Sequence, residues 1–401
     1  MSPIKLIAVV LSTMFMTIVS VCLRSAEFSL MAAALVSVPL VSYALGRIAV
    51  RGLKCSRECP EYAQEGEPVP VRLLLEGRSR LLGAIEIDDR LPEWIVRDDG
   101  HSRVVETSPG RILASYDATA LKRGKYTLGP IRLTTCDPLG FCRFSCDYPL
   151  VSPLIVLPRA LTIPELRIWT TGGLGEHQFE GAGAKGSGIE FHGVREYQAG
   201  DELRRVHWRS TARHGQLNVI EFEHSRAEDT LIAIDLKRGS EIGAGRYTSL
   251  EYAVKIAAGI AEQALAIGSL ARLACAGLVG PSAIPDRGRG QLYVILDALA
   301  RIEANQEETL SSVLLQRLDS ITHGSDIVCL ASSIDEGLPQ CADLLLPRGA
   351  KLRFILLTLS GGLSSKTEQM ARRLAASRAS VVVANCLPDV VACHLAQRYG
   401  N

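Results

Sequence analysis

Two long apolar runs at the amino end constrain this chain more than any other feature. Leu6–Leu23 holds 18 residues and Phe28–Gly46 holds 19, and neither carries a charge. A helix rises about 1.5 Å per residue and a hydrocarbon core is about 30 Å thick, so each run has the length of a membrane span. Only Arg24-Ser25-Ala26-Glu27 separates them, which predicts a helical hairpin over residues 1–54 with spans at about 6–23 and 28–46. A cleaved secretory signal is the competing reading of the first run, and a second span four residues later argues against it. Lys5 and the terminal amine precede the first span, while Arg47, Arg51, Lys54 and Arg57 follow the second. Cations collect on the cytoplasmic side, so both ends and the body behind them are expected in the cytoplasm of a multi-pass protein.

The 11 cysteines agree with that compartment, being odd in number and without a C-x-x-C pair. Cys55/Cys59 and Cys142/Cys146 are spaced by four, which leaves a zinc site open as a minor alternative. With 47% hydrophobic and 22% charged residues, the rest of the chain can build real cores. Lys+Arg is 44 against Asp+Glu 43, and aromatics are 5%, so neither a general nucleic-acid binder nor a base-stacking platform is expected.

Residues 55–165 read as short strands. Val69–Glu76, Ala84–Asp88, Lys125–Leu128 and Ile131–Thr134 alternate or run apolar, and turn signals such as Asp99-Gly100, Arg123-Gly124 and Asp137-Pro138 punctuate them. That spacing predicts an antiparallel, immunoglobulin-like sandwich whose role is protein contact rather than chemistry. A Gly-rich stretch over residues 166–187 follows. It approaches a phosphate loop, but Ser187 stands where the lysine belongs, so a flexible linker is the reading taken.

Residues 188–225 hold the most unusual segment. Between Gly188 and Arg213 lie five Arg, three Glu, one Asp, a Tyr and a Trp. Arginine grips carboxylates through two parallel N–H bonds, so this mixture points to an ion-pair network pinning two elements together. A docking surface for an acidic partner is the functional alternative, as is a phosphate or nucleic-acid contact through Arg204, Arg205, Arg209 and Arg213. A hydrolase built on Asp201 and His207, with Glu190 or Glu196 nearby, is a further alternative that lacks a nucleophile motif.

These residues resemble the signature of the domain of unknown function 58 family, G-x-E-F-x-G-x-R-x-Y-x-x-G-D-x-x-R-x-I-x-W-x-x-[ST]-A-R. The matches are Gly188, Glu190, Phe191, Gly193, Arg195, Tyr197, Gly200, Asp201, Arg204 or Arg205, Trp208, Ala212 and Arg213. Leu217–Glu223 downstream fits, as do Arg123–Pro130 and Asp137–Phe141 upstream. His207 stands where the family usually has Asp, and Arg209 where Lys is commoner.

In residues 226–401, apolar strands alternate with helices. Strands are expected at Thr230–Ile234 followed by Asp235, at Ala271–Leu278, Asp326–Ala331, Leu352–Leu357 and Val381–Ala384. Helices are expected at Tyr252–Ile267, Gln291–Glu303 and Thr367–Ser377. This is the pattern of a doubly wound parallel sheet. The resemblance implies a von Willebrand factor A-like domain, in which D-x-S-x-S at a strand end helps to hold Mg²⁺. Here Asp235 is followed by Lys237 and Gly239 at the two serine positions. Ser332 and Ser333 follow the strand Asp326–Ala331, and the nearest acid is Asp335. A degenerate site without metal is therefore expected, with Asp235 in a loop-capping or ion-paired role. The function expected is that of a non-enzymatic adaptor anchored in a bacterial inner membrane, and the resemblance implies association with a MoxR-type AAA+ ATPase and other von Willebrand factor A proteins.

Overall fold

A computed structural model of the chain describes residues 3–24, 26–77, 85–98, 103–108, 111–137, 139–161, 190–196, 208–223, 229–359, 365–387 and 392–399. These form two compact units: Met1–Arg159 with Leu299–Arg301, and Ala160–Ala298 with Ile302–Asn401.

The first unit opens with α1 (Pro3–Leu23) and α2 (Ala26–Arg51), which turn back at Arg24 and share a bond between the Ser20 and Ser29 hydroxyls at 2.5 Å. Helix α2 is long and apolar enough to cross a bilayer. The apolar stretch of α1 among the described residues, Ile7–Leu23, is shorter.

Among the described residues eleven strands follow α2 in this unit: β1 (Lys54–Glu58), β2 (Tyr62–Gln64), β3 (Pro68–Glu76), β4 (Ile85–Asp89), β5 (Ile95–Arg97), β6 (Arg103–Ser108), β7 (Arg111–Ala120), β8 (Gly124–Leu128), β9 (Ile131–Cys136), β10 (Arg143–Tyr148) and β11 (Ser152–Leu157). They make three sheets, ordered β1-β3-β7-β5 with β6 also on β7, β10-β9-β4, and β2-β11-β8. Side chains on a strand point alternately to its two faces, so a half-buried strand needs an apolar residue at every second position. Strand β3 does this with Val69, Val71, Leu73 and Leu75, and β7 with Ala114, Tyr116, Ala118 and Ala120. Together with Ile131, Leu133, Leu154 and Val156 they form one core shared by the three sheets. The expected strands are all present. Their pairing is not wholly antiparallel, because β2 runs parallel to β11.

Arg57, one of the cations that follow the second apolar run, stands in β1, and its side chain and that of Asp89 are both 0% exposed. Its guanidinium grips both carboxylate oxygens of Asp89, and also donates to Leu128 O at 2.9 Å and Leu150 O at 3.3 Å. Tyr116 Oη donates to Asp89 Oδ2 at 2.7 Å. Burial and then this bond push the Tyr116 phenol well above its ordinary range. Two buried charges are tolerable only when paired and hydrogen-bonded in this way.

The second unit begins with an antiparallel pair, β12 (Glu190–Glu196) and β13 (Asn218–Glu223), with the short helix α3 (Trp208–His214) between them in sequence. Its main sheet has six strands: β14 (Asp229–Ile234), β17 (Leu270–Ala274), β18 (Asp326–Ala331), β19 (Lys351–Thr358), β20 (Ser380–Leu387) and β21 (Ala392–Tyr399). A two-stranded turn, β15 (Gly243–Ala244) and β16 (Tyr247–Thr248), lies between β14 and the next helix. The helices are α4 (Ser249–Ala266), α5 (Gly288–Arg301), α6 (Leu310–Gln316), α7 (Leu338–Leu345) and α8 (Ser365–Ala376).

The sheet order is β17-β14-β18-β19-β20-β21, the first five strands parallel and β21 antiparallel on the edge. The all-parallel expectation is corrected at that edge. Every residue of β14 and β18 is buried, as a strand covered on both faces requires. Leu231 and Ala233 join Phe354, Val381 and residues of α6, α7 and α8 in one core, while α4 contacts β14, β17, β18 and β19.

Element ends differ from expectation for local reasons. Strand β17 stops at Ala274 rather than Leu278, because the chain turns there and Gly277 takes φ +69°. Helix α4 starts at Ser249 rather than Tyr252, since Thr248 accepts from the Glu251 N–H at 3.3 Å in a T-x-x-E cap. Buried pairs close the amino ends of the strands: Arg272–Asp229 at 2.7 Å and Arg353–Asp326 at 3.2 Å.

Candidate functional site

Strand β14 has its two sequence successors on opposite sides, β17 on one and β18 on the other. The chain leaving β14 crosses to β17 and the chain leaving β18 crosses to β19, and such a switch point, at the strands' carboxyl ends, is where open α/β sheets place their binding crevice. Asp235 follows β14 and Ser332 follows β18 at this switch point.

Asp235 is 7% exposed, and both of its carboxylate oxygens are taken up by the protein itself. Oδ1 accepts from the Lys237 N–H at 3.1 Å, a local turn that reverses the loop. Oδ2 accepts from Ser333 Oγ at 2.5 Å. The Asp235 N–H donates to Leu330 O at 2.9 Å. Ser332 Oγ donates to Ser240 O at 2.7 Å, a second tie between the same two loops. A third strip of chain joins them, as Gln306 N–H donates to Leu236 O at 3.0 Å and Arg238 N–H to Gln306 O at 2.7 Å. The rim is exposed and mixed in charge, with Lys237, Arg238, Glu307 and Glu308 beside Ile242 and Ile334.

This donor set does not fit a D-x-S-x-S cation site. The serine positions are Lys237 and Gly239, and Asp235 is engaged with Ser333 and the Lys237 backbone. Asp335 caps helix α6 instead, accepting from Ser311 N–H at 2.8 Å, Ser311 Oγ at 3.0 Å and Gly337 N–H at 3.0 Å. Among the described residues no three His, Cys, Asp or Glu side chains gather as metal ligands. The thiols nearest these strand ends are inert in character: burial pushes Cys275 up to about 12, and Cys329 is raised further by the same cause.

The signature residues are only partly within the described chain. Glu190, Phe191, Gly193 and Arg195 lie on β12, opposite Glu223, Phe222, Glu221 and Val219 of β13, with an irregularity at His192. Trp208 and Arg213 lie on α3, where Trp208 is 69% exposed and Arg209 and Arg213 are exposed. Gly188, Tyr197, Gly200, Asp201, Arg204, Arg205 and His207, the Gly-rich stretch included, lie outside the described residues. The expected ion-pair network and the Asp201/His207 pair fall there.

Residues 193–348 match a family model described as "Protein of unknown function DUF58". That DUF58 region starts in β12 and takes in α3, Asp235 and both crevice serines. An uncharacterized protein, YeaD, of Bacillus subtilis (strain 168) is 26% identical over 259 residues, covering 60% of this chain and 60% of that protein. The match thus spans about 60% of the relative's length. Two crystal structures align with 26% of the chain. One is a FixG-related protein from Vibrio parahaemolyticus (12% identity, TM-score 0.18, 96% of that chain), the other a mutant SrpA adhesin from Streptococcus sanguinis (13% identity, TM-score 0.17, 58% of that chain).

Sequence reasoning placed Asp235 and Ser332 at strand ends but did not foresee the Ser333–Asp235 bond or the Gln306 strip. The only available signal for the former was the pair of serines directly after an apolar run.

Proposed function

We propose that this chain is a membrane-anchored adaptor. In this reading α1 and α2 form a two-span hairpin in a bacterial inner membrane, with the body in the cytoplasm. The β module serves as an immunoglobulin-like contact domain, and the α/β unit as a von Willebrand factor A-like domain with a degenerate cation site. The partner class is the one implied by the sequence resemblance, a MoxR-type AAA+ ATPase together with other von Willebrand factor A proteins.

The observation that carries this reading is Asp235. At the position where an α/β sheet presents its reactive or metal-holding group, the carboxylate is spent on tying two loops together. What the crevice offers a partner is a fixed rim, Lys237 and Arg238 beside Ile242 and Ile334, and the exposed Trp208 of α3 adds an aromatic anchor of the kind enriched in protein interfaces. The test is a pull-down of the detergent-solubilised chain with the ATPase, with and without Mg²⁺ and ATP. Capture that survives chelation of Mg²⁺ and is lost on Trp208→Ala or Lys237→Glu is expected. Capture that needs Mg²⁺ at Asp235 overturns the degenerate-site reading.

Arg209 and Arg213 beside Trp208 favour one second reading, contact with a phosphate or nucleic acid. A steep fall of binding with salt would select it, because each neutralised phosphate releases a counterion.

A further inference from the structure

The turn between β9 and β10 lies against helix α2. Asp137 is 0% exposed, and its carboxylate accepts from Ser42 Oγ of α2 and from the Cys142 N–H at 2.5 Å. The Asp137 N–H donates to Cys142 O at 3.1 Å and the Gly140 N–H to Asp137 O at 2.9 Å. The rings of Tyr43 and Phe144 stack at 5.5 Å between centroids. Gly46 makes the close approach possible: a Cβ there would stand 2.6 Å from Phe144 Cε2 and 3.1 Å from Asp137 Cβ. The turn is thus fixed to the helix by a small residue, a ring pair and a buried, hydrogen-bonded carboxylate.

Beyond this joint, Phe141 forms one wall of a groove of about 500 Å³ lined by α1 and α2, with Val9, Met16, Met31, Val38 and Pro39 among the other walls. Among the described residues that line it, Ser12 has the only polar side chain. Val38 precedes Arg47 by nine residues, about 13 Å along the helix at roughly 1.5 Å per residue. Phe141 thus lines a groove whose α2 walls lie inside the apolar run, while Asp137, against Ser42 and Gly46, lies nearer the end of that run. Backbone within a hydrocarbon layer must find its hydrogen bonds inside the protein, and the N–H groups of Asp137, Gly140 and Cys142 do so. Leu139, in the same turn, is 48% exposed.

We propose that Leu139–Phe141 is a membrane-inserted wedge, and that the groove it completes with α1 and α2 holds an acyl chain of a membrane phospholipid. The inference rests on the reading of α1 and α2 as spans. Lipid is the occupant because the groove is walled by the same two helices on which Leu11, Phe15, Leu40 and Val41 are all more than half exposed. Such a surface has its natural cover in hydrocarbon. Arg47 and Arg51 follow on α2 towards the level of the phosphates.

The test places the full-length protein in vesicles of phosphatidylethanolamine and phosphatidylglycerol that carry a photoreactive diazirine midway along one acyl chain, and maps the adducts by mass spectrometry. Adducts on Leu139–Phe141 and on Met31, alongside Leu40, are expected, and Phe141→Ser should lower labelling of Met31 several-fold with Leu40 unchanged. Adducts on Leu11 and Leu40 with none on the turn or Met31 overturn the wedge while leaving the spans intact. No adduct on either helix overturns the spanning reading and the wedge with it. Protein–protein crosslinks through Phe141 in place of lipid adducts give the groove to a second copy, and also overturn the proposal.

Discussion

Ser333 donates its hydroxyl to Asp235 Oδ2 at 2.5 Å, joining the loop after β18 to the loop after β14 across 98 residues of sequence. Removing the hydroxyl leaves a nearly buried carboxylate short of one donor, a loss of about 1.5–3 kcal/mol for a bond to a charged group. Ser333→Ala should therefore speed hydrogen exchange at the carboxyl ends of β14 and β18, while the amino-end pair Arg272–Asp229 keeps its protection. Ser333→Thr, which keeps the hydroxyl, should restore most of it. Unchanged exchange in the Ala variant would mean that the bond does not hold the crevice together.

The Arg57–Asp89 pair makes a different prediction. Removing one member strands a buried charge, at a cost of about 3–5 kcal/mol, whereas replacing both with apolar groups is often near neutral. Asp89→Leu and Arg57→Met should each lower the urea midpoint of the β module strongly, and the double variant should be more stable than either single one. Additive losses would contradict this coupling.

Tyr116 sets an alkaline limit. Its phenol is raised in the folded state by burial and by its bond to Asp89, so the folded chain keeps a proton that the unfolded chain loses near pH 10. The stability it contributes is complete below pH about 10 and drains away as pH climbs towards the folded value. Tyr116→Phe should cost about 1 kcal/mol at neutral pH and unfold along a flatter alkaline limb than the wild-type chain. Denaturation midpoints at pH 8 and pH 11 separate the two curves. Parallel limbs would remove Tyr116 as the cause.

Thiol labelling reads the α/β core. Burial raises Cys275 to about 12 and Cys341 to about 11, and raises Cys329 further, which suppresses the reactive thiolate as well as access. A maleimide at pH 7 should leave these three unmodified until the unit unfolds. Early modification of Cys329, buried in the middle of β18, would place the sheet's register in error.

The sheet of the second unit was legible because burial on both faces forces continuous apolar runs. Strand β18 occupies the expected residues, and β14, β19 and β20 differ only at their ends. Strand β21, A-C-H-L-A-Q-R-Y, mixes polar and apolar residues as an edge strand can, and so gave no such signal. Helix α7 is eight residues long with Pro339 in its first turn, too short for helical periodicity to register. The pairing of Arg57 with Asp89 was not legible, because charge next to an apolar run looks the same whether it faces headgroups or a buried carboxylate. The same limit hid the Ser333–Asp235 bond, since pairing between distant residues is a property of the fold.

Only Gly52 and Leu53 separate α2 from β1, and Arg57 clamps β1 to Asp89, Leu128 and Leu150 within a few residues of the helix end. There is no slack at this junction to act as a swivel. On the proposed spanning reading, a tilt of α2, whether from a change in bilayer thickness or a pull by a neighbouring helix, would be passed to the β module as the motion of one stiff lever.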